Sequence, residues 1–454
     1  MGTTADLTTA PAQHPAEPAR GSVSRVRPDR TLARWAVRHG VPALYLARSA
    51  RKGDPVGRLL RERAVREEPY AVYEQLRARG PLTSSSLGLV TTSHALVAEV
   101  LRSDRFGVGF DRAVLPRLFR WALEYGDELD ASGVAEPPSM LVVDPPDHTR
   151  FRRLVSRSFT PRAITAFEPM VQRTADDLLD ALERRTGTVD LVDAYAAQLP
   201  VLVIAELLGV PVAMRETFLR WGGAAAATLD PGLPFRRYLA AEKALRQMHA
   251  WLREHFARLA RDPGEDLVST LVTLPEEDAL TERELHAIVM LVLGAGFETT
   301  VNLIGNAVVA LDAHRDQWAA LAADPSGWPN AVEEVLRFDS PVQITGRTSR
   351  GTTLGGREVP SGNRVTVLLG AANRDPDVFT DPARFDVTRP NAREHLAFSG
   401  GIHYCLGAGL ARLEGEVGLK ALTERFPALR VAGRPERRDL QTLRGYEHLP
   451  VTLR

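Results

Sequence analysis

Phe398-Ser-Gly-Gly-Ile-His-Tyr-Cys-Leu-Gly407 holds the only cysteine of the 454-residue chain, Cys405, and a helical run from Leu406 to about Phe426 follows it. One cysteine can neither close an internal disulfide nor build a zinc cage alone. Out of context it reads as a small buried hydrophobe. Its setting points elsewhere. Gly400 and Gly401 permit a tight turn and close backbone approach to a flat ligand. The amides and dipole at the start of the following helix would stabilise a thiolate. A thiolate in that place is positioned to hold a metal.

Phe398-x-x-Gly401-x-His403-x-Cys405-x-Gly407 resembles the haem-thiolate loop of the cytochrome P450 family. One position departs from the commonest bacterial form, because Ser399 stands where a second glycine often sits; a small geometric adjustment is expected. The resemblance implies haem b, with Cys405 as axial ligand, Phe398 near the sulfur, His403 on a haem propionate and Gly407 in the cofactor loop. An axial thiolate favours O–O cleavage at a haem.

Upstream, Thr281-Glu-Arg-Glu284 forms a capping box. The apolar run Ile288 to Leu311 contains no proline, which predicts about thirty residues or roughly 45 Å of helix. Its middle reads Gly294-Ala-Gly296-Phe-Glu298-Thr299-Thr300. Each glycine costs up to about 1 kcal/mol against alanine in a helix, so the pair predicts a surface on which something flat can lie. Glu298, in apolar surroundings, needs water, a hydrogen-bond network or a channel. The hydroxyls of Thr299 and Thr300 could simply bond back to the preceding turn. Dioxygen cleavage, however, needs protons delivered inside a sheltered site, and the resemblance gives that delivery to Glu298 and Thr299, with Ala295 against the cofactor.

Glu334 and Arg337 share one helix face in Pro329-Asn-Ala-Val-Glu-Glu-Val-Leu-Arg-Phe338. They resemble the family's paired-charge motif, and Phe379-Thr-Asp-Pro-Ala-Arg384-Phe385 resembles its meander. The resemblance makes Arg384 the third, structural member. In Asp144-Pro-Pro-Asp-His148-Thr-Arg-Phe-Arg152, His148 and Arg152 lie four apart on one face and could clamp carboxylates. The family uses that pair, and Arg347, for haem propionates. Arg150 and Arg153 read as helix decoration. Arg157 and Arg412 could join a basic face for an acidic electron-transfer partner.

The formal net charge is zero, with 44% hydrophobic and 25% charged residues, as in an ordinary globular protein and with no sign of nucleic acid as partner. No run of eighteen or more apolar residues is apparent, so neither a transmembrane anchor nor a secretory signal is expected. A single cysteine suits a reducing cytoplasm. Residues 1–20 read as a disordered tail and 21–66 as a basic extension, rich in arginine from Arg25 to Arg66. Such a leader can signal import, a membrane-surface helix or a solvated extension packed along the body. Residues 67–454 form the expected catalytic domain: mainly α, with a long central helix over the haem, the cysteine loop beneath it, and small sheets near 88–92, 353–360 and 364–368.

The resemblance implies a monooxygenase that takes dioxygen and two electrons from a ferredoxin or flavodoxin with its reductase. Its substrate would be a lipophilic small molecule, hydroxylated or epoxidised in secondary metabolism or xenobiotic oxidation. Oxidative aryl coupling, or haem ligand binding without turnover, are the alternatives. Residues 106–140, with Phe110, Leu115, Phe119, Trp121 and Tyr125, and residues 221–238, as a mobile lid, are the expected substrate segments. Leu293, Phe297, Val342, Ile344 and the tail around Tyr446 would complete the pocket.

Overall fold

The computed structural model describes residues 28–109, 117–125 and 132–454. The expected tail and the start of the basic extension, with Phe110 and Leu115, lie outside the described residues.

The capping box forms: the Thr281 hydroxyl accepts from the Glu284 N–H and the Glu284 carboxylate from the Thr281 N–H, opening a helix over Glu282–Ala313. This central helix is apolar on nearly all sides because protein surrounds it. It packs against helices Gln198–Leu207, Arg215–Ala227, Trp328–Phe338 and Ala408–Arg425. By length and hydropathy it is the one described helix that could cross a membrane. Its most apolar window is 72% buried inside the protein, however.

The two mid-helix glycines serve packing and not a flat ligand. A Cβ on Gly296 would lie 2.6 Å from Ile204, and one on Gly294 3.1 Å from Val134. Between them Ala295 is exposed. The glycines therefore seat the helix against its neighbours, and the next residue carries the open face.

A five-stranded sheet runs in the order Leu82–Ser85, Gly88–Thr91, Arg364–Leu368, Ile344–Ser349, Phe106–Gly107, with one parallel pairing, Gly88–Thr91 on Arg364–Leu368. Its register sets Arg347 opposite Val365 and Thr348 opposite Arg364, bringing two arginines to one edge of the core.

The basic extension is not a solvated appendage. Helices Pro28–Trp35, Val41–Arg51 and Pro55–Arg61 fold onto the body. Leu46, Val56, Leu59 and Leu60 share a core with Val72, Tyr73, Val90 and Ile344. Each fully buried leucine contributes about 1.5–3 kcal/mol, so the extension is bound to the sheet and not merely laid along it.

Candidate haem-thiolate site

Cys405 lies between a short helical turn, Gly401–His403, and the helix Ala408–Arg425. Its N–H donates to the Phe398 carbonyl at 2.9 Å, closing the loop. Gly401 takes φ +62°, and a Cβ there would strike the Leu101 carbonyl at 2.5 Å. Ser399, at the departing position, takes φ +63°, a left-handed conformation that costs a side-chain-bearing residue about 1–2 kcal/mol. Its hydroxyl is buried without a partner. The adjustment expected at Ser399 is thus a strained backbone.

Cys405 is exposed, as are Gly401, Ile402 and Tyr404 of its loop. Its thiol pKa is raised by desolvation, against which the Gly407 N–H, Arg152 and Arg412 pull it down. The protein alone therefore does not hold the thiolate that the helix start was expected to stabilise. A cation on the sulfur would supply the missing compensation.

Two histidines and two arginines gather nearby, with Asp144 as a neighbouring carboxylate. His148 is buried, and its ring lies 4.3 Å from that of His403. His403 Nε2 is buried with no partner. Burial, His148 and Arg347 lower the His403 pKa to about 4. Arg152 donates to the Tyr404 carbonyl at 2.7 Å. Arg347 is 6% exposed and reaches only the Thr345 hydroxyl at 3.3 Å and the Gly346 carbonyl at 3.0 Å. Burial and the neighbouring Arg364 lower its pKa to about 10. Among the described residues no carboxylate forms an ion pair with Arg347. This set fits a group carrying an iron for the thiolate and carboxylates for the cations, and exposed Ala295 offers it a flat wall. Gly407 is compatible, since a Cβ there would meet nothing within 4 Å.

Above that wall, the Thr299 hydroxyl donates to the Ala295 carbonyl at 2.9 Å, and Thr300 to Gly296 at 3.2 Å. Glu298 is 2% exposed and forms an ion pair with Arg438, whose Nε donates to the Tyr446 carbonyl at 3.1 Å. Glu298 thus sits in a network. Sequence patterns did not reveal Arg438, which lies 140 residues away on the C-terminal hairpin.

The paired-charge motif is fully buried: Arg337 meets Glu334 through two contacts of 2.6 and 2.7 Å. Its third member is Arg389 and not Arg384. Arg389 lies 3.2 Å from Glu334, whereas the Arg384 side chain is 68% exposed and reaches toward Asp386 at 3.9 Å. Arg384 contributes only its carbonyl, which accepts from both Arg337 and Arg389 at 3.0 Å. The meander turn points the Arg384 side chain outward, and the next arginine along the chain returns.

Arg412 does not belong to an open basic face. It holds Glu333 at 2.8 Å, and His395 holds the same carboxylate at 2.9 Å. Arg150 reaches Glu284 at 2.8 Å and Arg153 pairs with Asp278, so both tie their helix to the start of the central one.

The expected lid is the end of the helix Arg215–Ala227, a connection over 228–234 and the start of the helix Phe235–Arg261, and its first part is packed. Gly222 lies under Phe297, where a Cβ would clash at 1.9 Å. Phe297 and Leu293 are core residues. Trp121 is 56% exposed and stacks on Tyr125 at 5.2 Å, so it faces outward.

An exposed loop thiol, a buried arginine without an ion pair and a helical core crossed by one long helix define a haem-binding oxidoreductase. The chain belongs to the cytochrome P450 family. The family's sequence profile, Cytochrome P450, matches residues 329–442. The chain is 46% identical over 424 residues to cytochrome P450 140 of Mycobacterium tuberculosis, covering 92% of this chain and 97% of the relative. It is 41% identical to the vitamin D(3) 25-hydroxylase of Pseudonocardia autotrophica, covering 85% and 94%. The crystal structure of Mycobacterium smegmatis CYP164A2 superposes with a TM-score of 0.76 at 40% identity, covering 87% and 98%. The protein is a P450 monooxygenase that uses haem.

Proposed function

We propose that this P450 inserts one oxygen atom from dioxygen into a lipophilic small molecule, with two electrons from a separate ferredoxin or flavodoxin system. The observation that carries this reading is an exposed Cys405 thiol between a glycine turn and a helix start, together with the buried Glu298 beside Thr299 on the central helix.

When bound, haem supplies the redox chemistry that cleaves dioxygen and oxidises the substrate. The chain's own residues do the rest. Cys405 would ligate the iron, and His148, Arg152, Arg347 and His403 would bind the haem carboxylates. Phe398 closes the loop by accepting the Cys405 N–H. The Thr299 hydroxyl would turn from the Ala295 carbonyl to donate a proton hydrogen bond. Glu298 would carry the proton inward, held in place by Arg438. Glu334, Arg337 and Arg389 would fix the meander beneath the cysteine loop. The hydroxylase relative supports a lipophilic substrate, and no described residue specifies which.

The test is the carbon monoxide difference spectrum of the reduced protein beside Cys405→Ser. A strongly red-shifted Soret band lost in the variant is expected; a band typical of imidazole ligation in the wild type would overturn the reading. Product analysis under labelled dioxygen then separates oxygen insertion from oxidative coupling.

A further inference from the structure

The N-terminal helices do more than share a core with the sheet. A cavity of about 400 Å³ is lined by Arg38 and His39 of this extension, Glu136, Leu229 and Tyr238 of the body, and Arg364 of the sheet. Its lining therefore runs from the extension to the arginine that neighbours Arg347. Volumes in this range suit small-molecule ligands.

The extension also ties together the two segments that form the rest of this wall. Glu136 receives Arg34 at 3.1 Å and Arg38. The Trp35 indole N–H donates to the Leu233 carbonyl at 2.8 Å, and the Leu233 N–H donates to His39 Nδ1 at 3.4 Å. The Thr31 hydroxyl donates to Glu242 at 3.0 Å, and Trp35 packs edge-on against Phe235 at 5.1 Å. These contacts span about a hundred to two hundred residues of sequence and converge on residues 132–137 and 228–242.

We propose that residues 28–40 form part of the substrate site, with Trp35 and Glu136 latching its outer wall and His39 as a specificity-determining residue. The proposal rests on the monooxygenase reading. His39 accepts the Leu233 N–H through Nδ1 and is bonded to the Asp230 backbone, so its ring is fixed against the cavity wall. The ligand class that matches is a molecule with an apolar body and a polar end, away from the reacting carbon, that meets the charged lining of Arg38, Glu136 and Arg364.

The experiment uses full-length haem-loaded protein with Trp35→Phe, Glu136→Gln and His39→Ala. Dissociation constants are measured for vitamin D3, testosterone and myristic acid, and for imidazole as a small haem ligand that needs no outer wall. Trp35→Phe and Glu136→Gln should weaken the bulky probes about tenfold, as expected for 1.4 kcal/mol of lost contact, chiefly through faster dissociation. Imidazole affinity should hold. His39→Ala should change the order of affinity among testosterone, vitamin D3 and myristic acid, as expected of a residue that shapes the wall. Hydrogen exchange at residues 228–234 should rise in both latch variants.

Unchanged affinity for all bulky probes would overturn the proposal, as would no binding of any of them to the wild type. An equal loss for imidazole would place the effect at the haem seat and also overturn it. A wild type lacking the thiolate carbon monoxide band would instead sink the monooxygenase reading itself.

Discussion

Glu298, at the middle of the central helix, is ion-paired with Arg438 of the C-terminal hairpin, with Glu298 buried and Arg438 half-buried. Arg438 also lies 3.6 Å from Glu447, which is 56% exposed. One guanidinium therefore stands between an interior acid and a surface acid. A buried carboxylate is costly without its cation, so Arg438 fixes Glu298 in place on the central helix. Arg438→Ala should lower the product formed per NADPH, while Arg438→Lys should largely restore it. Equal coupling in the wild type and Arg438→Ala would remove Arg438 from the proton route.

Thr299 separates binding from coupling. Its hydroxyl holds a backbone carbonyl and no other protein group, so Thr299→Ala should leave the haem spectrum intact. Product formed per NADPH should fall, with hydrogen peroxide released in its place. Glu298→Gln should slow product formation by about 10²-fold, a typical size for a lost general acid–base group. Stopped-flow reduction and peroxide assays check both variants.

The buried charge cluster gives a three-way contrast. Removing one partner of a buried ion pair costs about 3–5 kcal/mol. Glu334→Ala and Arg389→Ala should each yield mostly haem-free or insoluble protein. Arg384→Ala, which keeps the carbonyl that matters, should express with normal haem content. Haem-to-protein ratios across the three variants decide the assignment of the third member.

Ser399 offers a gain in stability. A glycine there would relieve left-handed strain of about 1–2 kcal/mol and remove an unpaired buried hydroxyl, against up to about 1 kcal/mol of extra chain freedom lost on folding. Ser399→Gly should raise the denaturation midpoint of the holoprotein, and Ser399→Val should lower it.

His39 sets an acid limit for the N-terminal helices. Burial and Arg38 lower its pKa to about 4, below the unfolded value near 6.5. The unfolded chain then binds more protons than the folded one, so stability is full above about pH 6.5 and falls as pH drops toward 4. Below 4 the folded ring also protonates and the loss levels off. Protection of residues 28–51 against hydrogen exchange, corrected for the intrinsic rate, should fall between pH 6.5 and 4, and His39→Gln should flatten that response.

What could be read in advance was whatever one segment carries alone. Cys405 with its glycines, the Thr281–Glu284 cap and the Glu334–Arg337 spacing are local patterns, and each appears where its own residues put it. Arg389, Arg438 and Glu136 escaped because their partners lie 55 to 140 residues away and nothing beside them marks the pairing. The glycines of the central helix misled for a related reason. A missing side chain shows that something approaches, but only the fold says whether it is a cofactor or Ile204.

The position of Arg38 and His39 bears on how this enzyme is prepared. A shortened chain begun at residue 41 would keep Cys405, the central helix, the buried charge cluster and the core that Leu46 to Leu60 share with the sheet. It would pass every spectroscopic check of quality. It would also lack a wall of its cavity, and a compound library run against it would return hits that the intact enzyme excludes.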